Sequence, residues 1–475
     1  MFLLLLSLLT PASFANDSLV NWSQQILNHV RGPEWSNASC VSYLRSLQKR
    51  LDQMNGAGLT REKLKVLAPE LIENLWETRL ALHDRLSESD NACAIEVRNT
   101  FRQFRFLEDF LGEIKQSPIN LDASMIEFQK QPVPIDENFY SYMLQKNPNF
   151  KDFDLQPGDL IVARGVTFLS AMIARLGDID SQFSHVILVT ENPDTRKIET
   201  IEAYVGVGTA IYDRATALKN ENARLLVLRP KDRNLARMAS EQMRAYVMKH
   251  QGANKIPYDY ELNFKDSSAM SCAEVSQYAM FTASNGTFVL PERPSTLTHG
   301  LDLLKNLGVT PGDSFTPGDL EYDSRFDMVA EWRDLRLTQD SRLRDAILTK
   351  VLFWMDHDGY KLHPSAKSKA AAGILFRARK TAWWPLIRKT LGIADFSAEI
   401  PAKMTGTVTL IGQLGDGMLA ELQHRNQLFK EKTGLPMTYL ELYQELERIR
   451  SQDESVYANR FTRHKSLILQ YFRPF

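Results

Sequence analysis

An α+β chain, with one mixed segment set between two helical ones, is what the sequence predicts, and three observations predict it. Apolar residues recur at helical spacing from residue 16 to 135 and again from 320 to 475. Between them, over 150–310, short β-branched runs alternate with Pro-Gly turns and brief helical patterns. The length, 475 residues, exceeds what one hydrophobic core ordinarily organises. Composition narrows the function classes. Hydrophobic residues make up 44% and charged residues 24%, which excludes a largely disordered chain and a multi-span membrane protein. Lys and Arg total 57 against 58 Asp and Glu, so no global positive field recruits nucleic acid. Three cysteines are too few for a disulfide scaffold or a multi-cysteine zinc cluster, and neither metal nor cofactor is expected.

Met1–Ala15, MFLLLLSLLTPASFA, reads as a signal peptide. The apolar run Phe2–Leu9 has the length of an h-region, Pro11 breaks it, and Ser13-Phe14-Ala15 offer the small residues of a cleavage site. The n-region has no Lys or Arg, and the alternative is a buried N-terminal helix. No later run is apolar for the ~20 residues a bilayer requires. The expected address is export, to the periplasm or cell envelope.

Residues 16–135 read as a helical bundle. Cys40 leads a segment carrying Leu44, Leu47, Leu51 and Met54; Pro69 opens one carrying Leu71, Leu75, Leu82 and Leu86; Cys93 leads one carrying Phe101, Phe104, Leu107 and Leu111. In an up-down bundle the first and third of these run the same way, which brings Cys40 and Cys93 to one end. In an oxidising compartment they are expected to form a disulfide. Cys272 is then left unpaired.

The mixed segment predicts strands at Leu160–Ala163, His185–Thr190, Ile198–Tyr204 and Leu225–Leu228. Cys272 follows Ser267, Ser268 and Ser271, candidate helix caps. A thiol in a first helical turn faces unpaired N–H groups that favour the thiolate, although a lone cysteine is more often a small buried hydrophobe. His185 and Glu202 flank a turn built on Asn192-Pro193-Asp194. A hairpin symmetric about the Pro193–Asp194 bond puts His185 directly opposite Glu202, where a carboxylate can fix the imidazole tautomer and stabilise the imidazolium. A slip of one residue would part them.

Taken in order, Gly158-Asp159-Leu160, Ser184-His185-Val186, Ile201-Glu202-Ala203, Tyr258-Asp259-Tyr260 and Cys272-Ala273-Glu274 resemble the circularly permuted papain-like cysteine hydrolases of the NlpC/P60 superfamily, in its YaeF/YiiX/YebB-like branch. The resemblance covers 150–310 and implies a permuted papain-like core with Cys272 as nucleophile, His185 as general base and Glu202 as the orienting third member. A serine commonly follows the cysteine in that branch; here it is Ala273. The residue types then imply attack of the Cys272 thiolate on a carbonyl and a thioester intermediate. The backbone N–H of Cys272 is the first oxyanion donor, and Tyr258 or Tyr260 the candidate second, unless both simply pack under the hairpin. Glu274 reads as a capping or solvated residue. The expected substrate is a peptide amide such as those of the cell wall. The alternatives are an acyl group on a lipid or lipoprotein, hydrolysed or transferred, and a non-catalytic envelope scaffold.

Two further stretches stand out. Asp356, His357, Asp358 and His363 could be pictured as metal ligands, but their spacing suits a polar helix end better. Over 359–394 there are eight Lys or Arg and no Asp or Glu. Arg377, Arg379 and Lys380 lie beside Trp383 and Trp384, a composition suited to peripheral contact with an anionic membrane, the alternative being a solvated basic face over buried tryptophans.

Overall fold

The computed structural model describes residues 16–53, 59–115, 141–145, 155–214, 217, 222–264, 266–363, 377–378, 381 and 402–474. The expected signal peptide, the break at Gln129–Pro134, and Arg379, Lys380, Trp383 and Trp384 lie outside them; Arg377 lies inside and is exposed.

Four helices come first: α1 (Asn16–Arg31), α2 (Asn37–Asp52), α3 (Arg61–Asp84) and α4 (Asn91–Lys115). Ser36 starts α2 through a capping box with Ser39, and the helix buries Cys40, Leu44, Leu47 and Leu51 on one face. Cys40 and Cys93 are joined by a disulfide, Cα to Cα 5.7 Å, at the starts of α2 and α4. Pro69 does not open its helix. Thr60 does, accepting from the Lys63 N–H at 3.4 Å, and Pro69 sits inside α3. A proline forfeits one intrahelical bond, and the surrounding burial of Leu64, Ala68, Leu71 and Ile72 carries the helix through it.

Between residues 141 and 334 the described strands are β1 (Ser141–Gln145), β2 (Leu160–Gly165), β3 (His185–Glu191), β4 (Ile198–Tyr204), β5 (Gly208–Asp213), β6 (Asn222–Pro230), β7 (Ser295–Leu297), β8 (Gly312–Ser314) and β9 (Phe326–Asp334). Seven of them form one sheet in the order β1-β9-β6-β2-β3-β4-β5, every pairing antiparallel, while β7 and β8 pair separately. The molecule is α+β. The sheet extends past the expected boundary at 310, because β9 lies between β1 and β6. Phe326 and Met328 face the core shared with the bundle and Ala330 and Trp332 the opposite one, the change of face falling at the register shift between Val227 and Leu228. The intervening polar residues are not solvated. Glu331 and Arg333 are buried against α3 and α4, where Arg79 reaches Glu331 at 2.7 Å and Arg333 reaches Asp109 at 2.7 Å.

That seam also removes the expected separation between bundle and mixed segment. Leu75, Phe101 and Phe104 of the bundle share one continuous core with Leu160, Val186 and Ile201 of the sheet and with Val275 and Met280. A second core joins Leu343, Ile347 and Leu442 of the C-terminal helices (Leu335–His357, Ala402–Thr433, Tyr439–Ala458) to Phe168, Met172 and Leu297. Short helices and loops of the mixed segment are thus gripped from both sides.

The two PGDL sequences are turns with buried aspartates. Asp159 accepts from Arg229 at 2.8 and 3.0 Å, and Gly158 takes φ +88° where a Cβ would lie 2.4 Å from the Ala236 backbone. Asp319 accepts from Arg98 at 2.9 Å and caps its own turn at Thr316. At the polar helix end, Asp356 accepts from the Gly300 N–H and meets His299 Nδ1, both at 2.9 Å. Among the described residues no group of three His, Cys, Asp or Glu side chains is arranged to hold a metal ion, and no helix is long and apolar enough to cross a membrane.

Candidate active site

Cys272 is the first residue of the helix Cys272–Ala283. Of the three candidate serines, Ser271 is the cap: it accepts from the Glu274 N–H, and Glu274 Oε2 accepts from the Ser271 N–H at 2.6 Å. The Cys272 backbone N–H therefore opens the helix, where no earlier turn can accept from it. The side chain is 7% exposed, and that exposure looks into a cleft.

His185 heads β3. Its Nε2 lies 2.9 Å from Glu202 Oε2, and its ring is in hydrogen-bond contact with Cys272, so Nδ1 is the nitrogen left for the sulfur. The three residues meet, but the hairpin register differs from the symmetric one. Leu188 pairs with Ile201 and Val189 with Thr200. Asn192 and Lys197 close a longer turn, with Arg196 at φ +59°, and every partner shifts by two residues. A two-residue shift preserves the face of each side chain, where a one-residue shift would reverse it. Continued to its end, this register sets His185 opposite Tyr204, whose ring stacks on the imidazole at 4.7 Å, with Glu202 as the diagonal neighbour.

Tyr204 and Thr200 escaped the sequence reading. The Tyr204 hydroxyl donates to Glu202 Oε2 at 2.6 Å and the Thr200 hydroxyl to Oε1 at 2.9 Å. Glu202 is wholly buried, and the imidazole and the two hydroxyls satisfy it. The signal was there as alternation, since Thr200, Glu202 and Tyr204 fall on one face of β4.

Burial on its own would push the His185 imidazole down. Its contacts with Cys272, and then with Glu202, outweigh burial and hold it up to about 10. The imidazole thus stands between the Cys272 sulfur and the Glu202 carboxylate.

The two tyrosines separate. Tyr260 is engaged, its hydroxyl accepting from the Gly206 N–H at 3.1 Å, so it ties the β4–β5 turn to the segment before the helix. Tyr258 is held beside Cys272. Burial, then the charges of Cys272 and Glu274, push its phenol well above the usual value, which keeps it a proton donor. Glu274 caps its helix as expected but is 4% exposed, hence not solvated.

A cleft opens beside Cys272. Leu169, Met172, Leu176, Val205, Leu297 and Val309 line it, from the short helix Phe168–Ile173, the β4–β5 turn and the β7–β8 region. Its polar rim is Ser184, Ser271, Thr316 and the two tyrosines, and its one charged lining residue among the described residues is Asp259.

No protein-family model matches the chain, and neither a curated protein nor a solved structure matches it. The site therefore rests on its own geometry.

Proposed function

We propose that this chain is an exported thiol hydrolase with a circularly permuted papain-like core, cleaving an amide or ester through Cys272, His185 and Glu202. The observation that carries the reading is the unbroken line of contacts from Cys272 to His185 to Glu202 at the mouth of a cleft. A structural histidine satisfied within a core would not need a thiol on one nitrogen and a buried carboxylate on the other.

The chemistry follows from these groups. His185 takes the thiol proton and Cys272 Sγ bonds to the substrate carbonyl carbon, placing negative charge on its oxygen. The Cys272 N–H and the Tyr258 hydroxyl are the donors for that oxygen. Collapse expels an amine or alcohol, which leaves with the proton from His185, and a thioester remains. A water molecule, deprotonated by His185, then attacks the thioester and releases the acid and the thiol. An alcohol or amine in place of that water makes the same site a transferase.

The cleft favours one substrate class over the other. Cell-wall peptides carry charged groups, and the lining supplies one carboxylate and no cation among the described residues. An acyl chain finds Leu169, Met172, Leu176, Leu297 and Val309 instead, an apolar wall of the kind that binds hydrocarbon. The test is to incubate the full chain separately with acyl esters of lipids and with muropeptides, and to read hydroxylamine-sensitive mass added to the Cys272 peptide. An acyl adduct from the lipid esters alone supports the acyl class. An adduct from muropeptides alone returns the site to peptide amides, and none from either favours the envelope scaffold.

For the stretch 359–394, with Arg377 exposed, we propose peripheral contact with an anionic membrane. Binding to phosphatidylglycerol vesicles that weakens with salt, and none to phosphatidylcholine, is expected; equal binding to both contradicts it.

A further inference from the structure

We propose that Glu274 holds the Tyr258–Asp259–Tyr260 wall of the cleft in place by sharing a proton with Asp259, which makes it a positioning residue for the thiol chemistry; its link to catalysis rests on the reading of Cys272 as nucleophile. Asp259 is buried, and both its oxygens are already occupied: Oδ1 accepts from the Glu261 N–H at 2.8 Å and Oδ2 from the Asn263 N–H at 2.6 Å. Glu274 Oε2 accepts from Ser271. Glu274 Oε1 is buried and meets no donor, and the group in hydrogen-bond contact with this side chain is the carboxyl of Asp259. Two carboxylates are acceptors only, so a contact between them requires a proton on one.

The surroundings agree. Around the pair stand Cys272 and Tyr258, with Tyr260 behind. On β3 the nearest titratable group is His185 and on β4 it is Glu202, bonded to each other. The helix Arg233–Lys249 packs Tyr246 against Tyr278, farther along the nucleophile helix. Burial is the largest influence on Glu274. Ser271 pulls its carboxyl down and Asp259 pushes it up, and the outcome is about 8.

The segment being held is a wall of the cleft. Its ends are fixed by backbone bonds, Thr209 N–H to the Ile256 carbonyl at 2.9 Å and Met270 N–H to the Pro257 carbonyl at 3.0 Å. Between these ends Asp259 organises the loop and Glu274 organises Asp259. Below the ordinary glutamate value the shared proton stabilises the fold fully. That stability declines as pH rises and is lost by about 8, where Glu274 gives up the proton. Glutamine at 274 would accept from Ser271 through its carbonyl and donate to Asp259 through its amide, with no proton required.

The test follows hydrogen exchange at the Glu261 and Asn263 amides in the full chain from pH 6 to 9.5, corrected for intrinsic exchange, beside the rate of Cys272 carboxymethylation. In the native chain protection at both amides is expected to fall about tenfold across pH 8, while Glu274→Gln stays level. Should Glu274→Gln fail to fold, Asp259→Asn serves, read by melting temperature against pH and not by exchange, since its amide donates to the Glu274 carboxylate but replaces one of the two acceptors. Parallel pH profiles in native and variant chains, or a level native profile, overturn the shared proton. Cys272 labelling indifferent to His185→Ala, with the pH-dependent protection intact, overturns the nucleophile reading alone.

Discussion

At the seam between α3, α4 and the sheet, Arg79, Arg105, Arg224 and Arg333 meet Glu108, Asp109, Glu321 and Glu331, whereas at the head of β3 the buried Glu202 meets an imidazole and two hydroxyls. Both clusters bury charge against the same sheet. At the seam, burial would raise the Glu331 carboxyl, but Arg333 and Arg79 hold it well below the usual carboxylate range. Guanidinium keeps its proton at neutral pH, so the cluster acts as a fastening. At the site the partners of Glu202 are an imidazole and two hydroxyls, and the imidazole, unlike a guanidinium, can pass its proton on. The lesson concerns partner type: burial sets the stakes for both clusters, and the titratable partners decide which one can do chemistry.

Breaking the site should cost activity before stability, and breaking the seam the reverse. The largest effect is expected from Cys272→Ala, which abolishes the hydroxylamine-sensitive adduct while the melting temperature stays within a few degrees. His185→Ala should lower turnover by about 10²–10⁴-fold, the range of a lost general base. Tyr258→Phe should lower turnover by about 10²-fold as one oxyanion donor goes, with Cys272 alkylation unchanged. Tyr260→Phe, which removes an acceptor for the Gly206 N–H, should cost far less. At the seam, Glu331→Ala strands Arg79 and Arg333 and should cost about 3–5 kcal/mol by urea unfolding, leaving Cys272 labelling of the folded fraction intact. If Glu331→Ala and His185→Ala have the same profile of losses, the contrast between the clusters is wrong.

The pH dependence sharpens the same contrast. His185 has a folded-state value near 10, above its ordinary 6.5. Its stabilising contribution is complete below 6.5 and disappears as pH rises towards 10. Glu202→Gln removes one of the two influences that hold the imidazole up and should move the loss to lower pH, read as melting temperature against pH. The Cys40–Cys93 bridge closes a separation of 53 residues. Reducing it should cost about 4 kcal/mol in the loop-entropy account, with the site's alkylation profile unmoved.

Much of this was legible in the chain. Helical spacing placed Leu44, Leu47 and Leu51 on the buried face of α2, and the order of Cys40 and Cys93 along the bundle matched their disulfide. The strand starts at Leu160, His185 and Ile198 agreed as well. What escaped was long-range. Hairpin symmetry could not foresee that Arg196 would take φ +59° and lengthen the turn, so Tyr204 rather than Glu202 faces His185. β9 sits beside a helical tail, and Arg79 and Asp109, which neutralise its Glu331 and Arg333, lie some two hundred residues away in sequence. Glu274 looked like a cap, and it is one. Its contact with Asp259 has no counterpart in local pattern.

The most direct test of the account is the pH dependence of Cys272 alkylation by iodoacetamide, read by peptide mass spectrometry without reductant in the native chain and in His185→Ala. The account predicts rapid labelling at pH 6 that falls at least tenfold when the imidazole is removed. Slow labelling that rises only with the ordinary titration of a thiol, the same in both chains, would contradict it and leave Cys272 a buried residue of a binding scaffold.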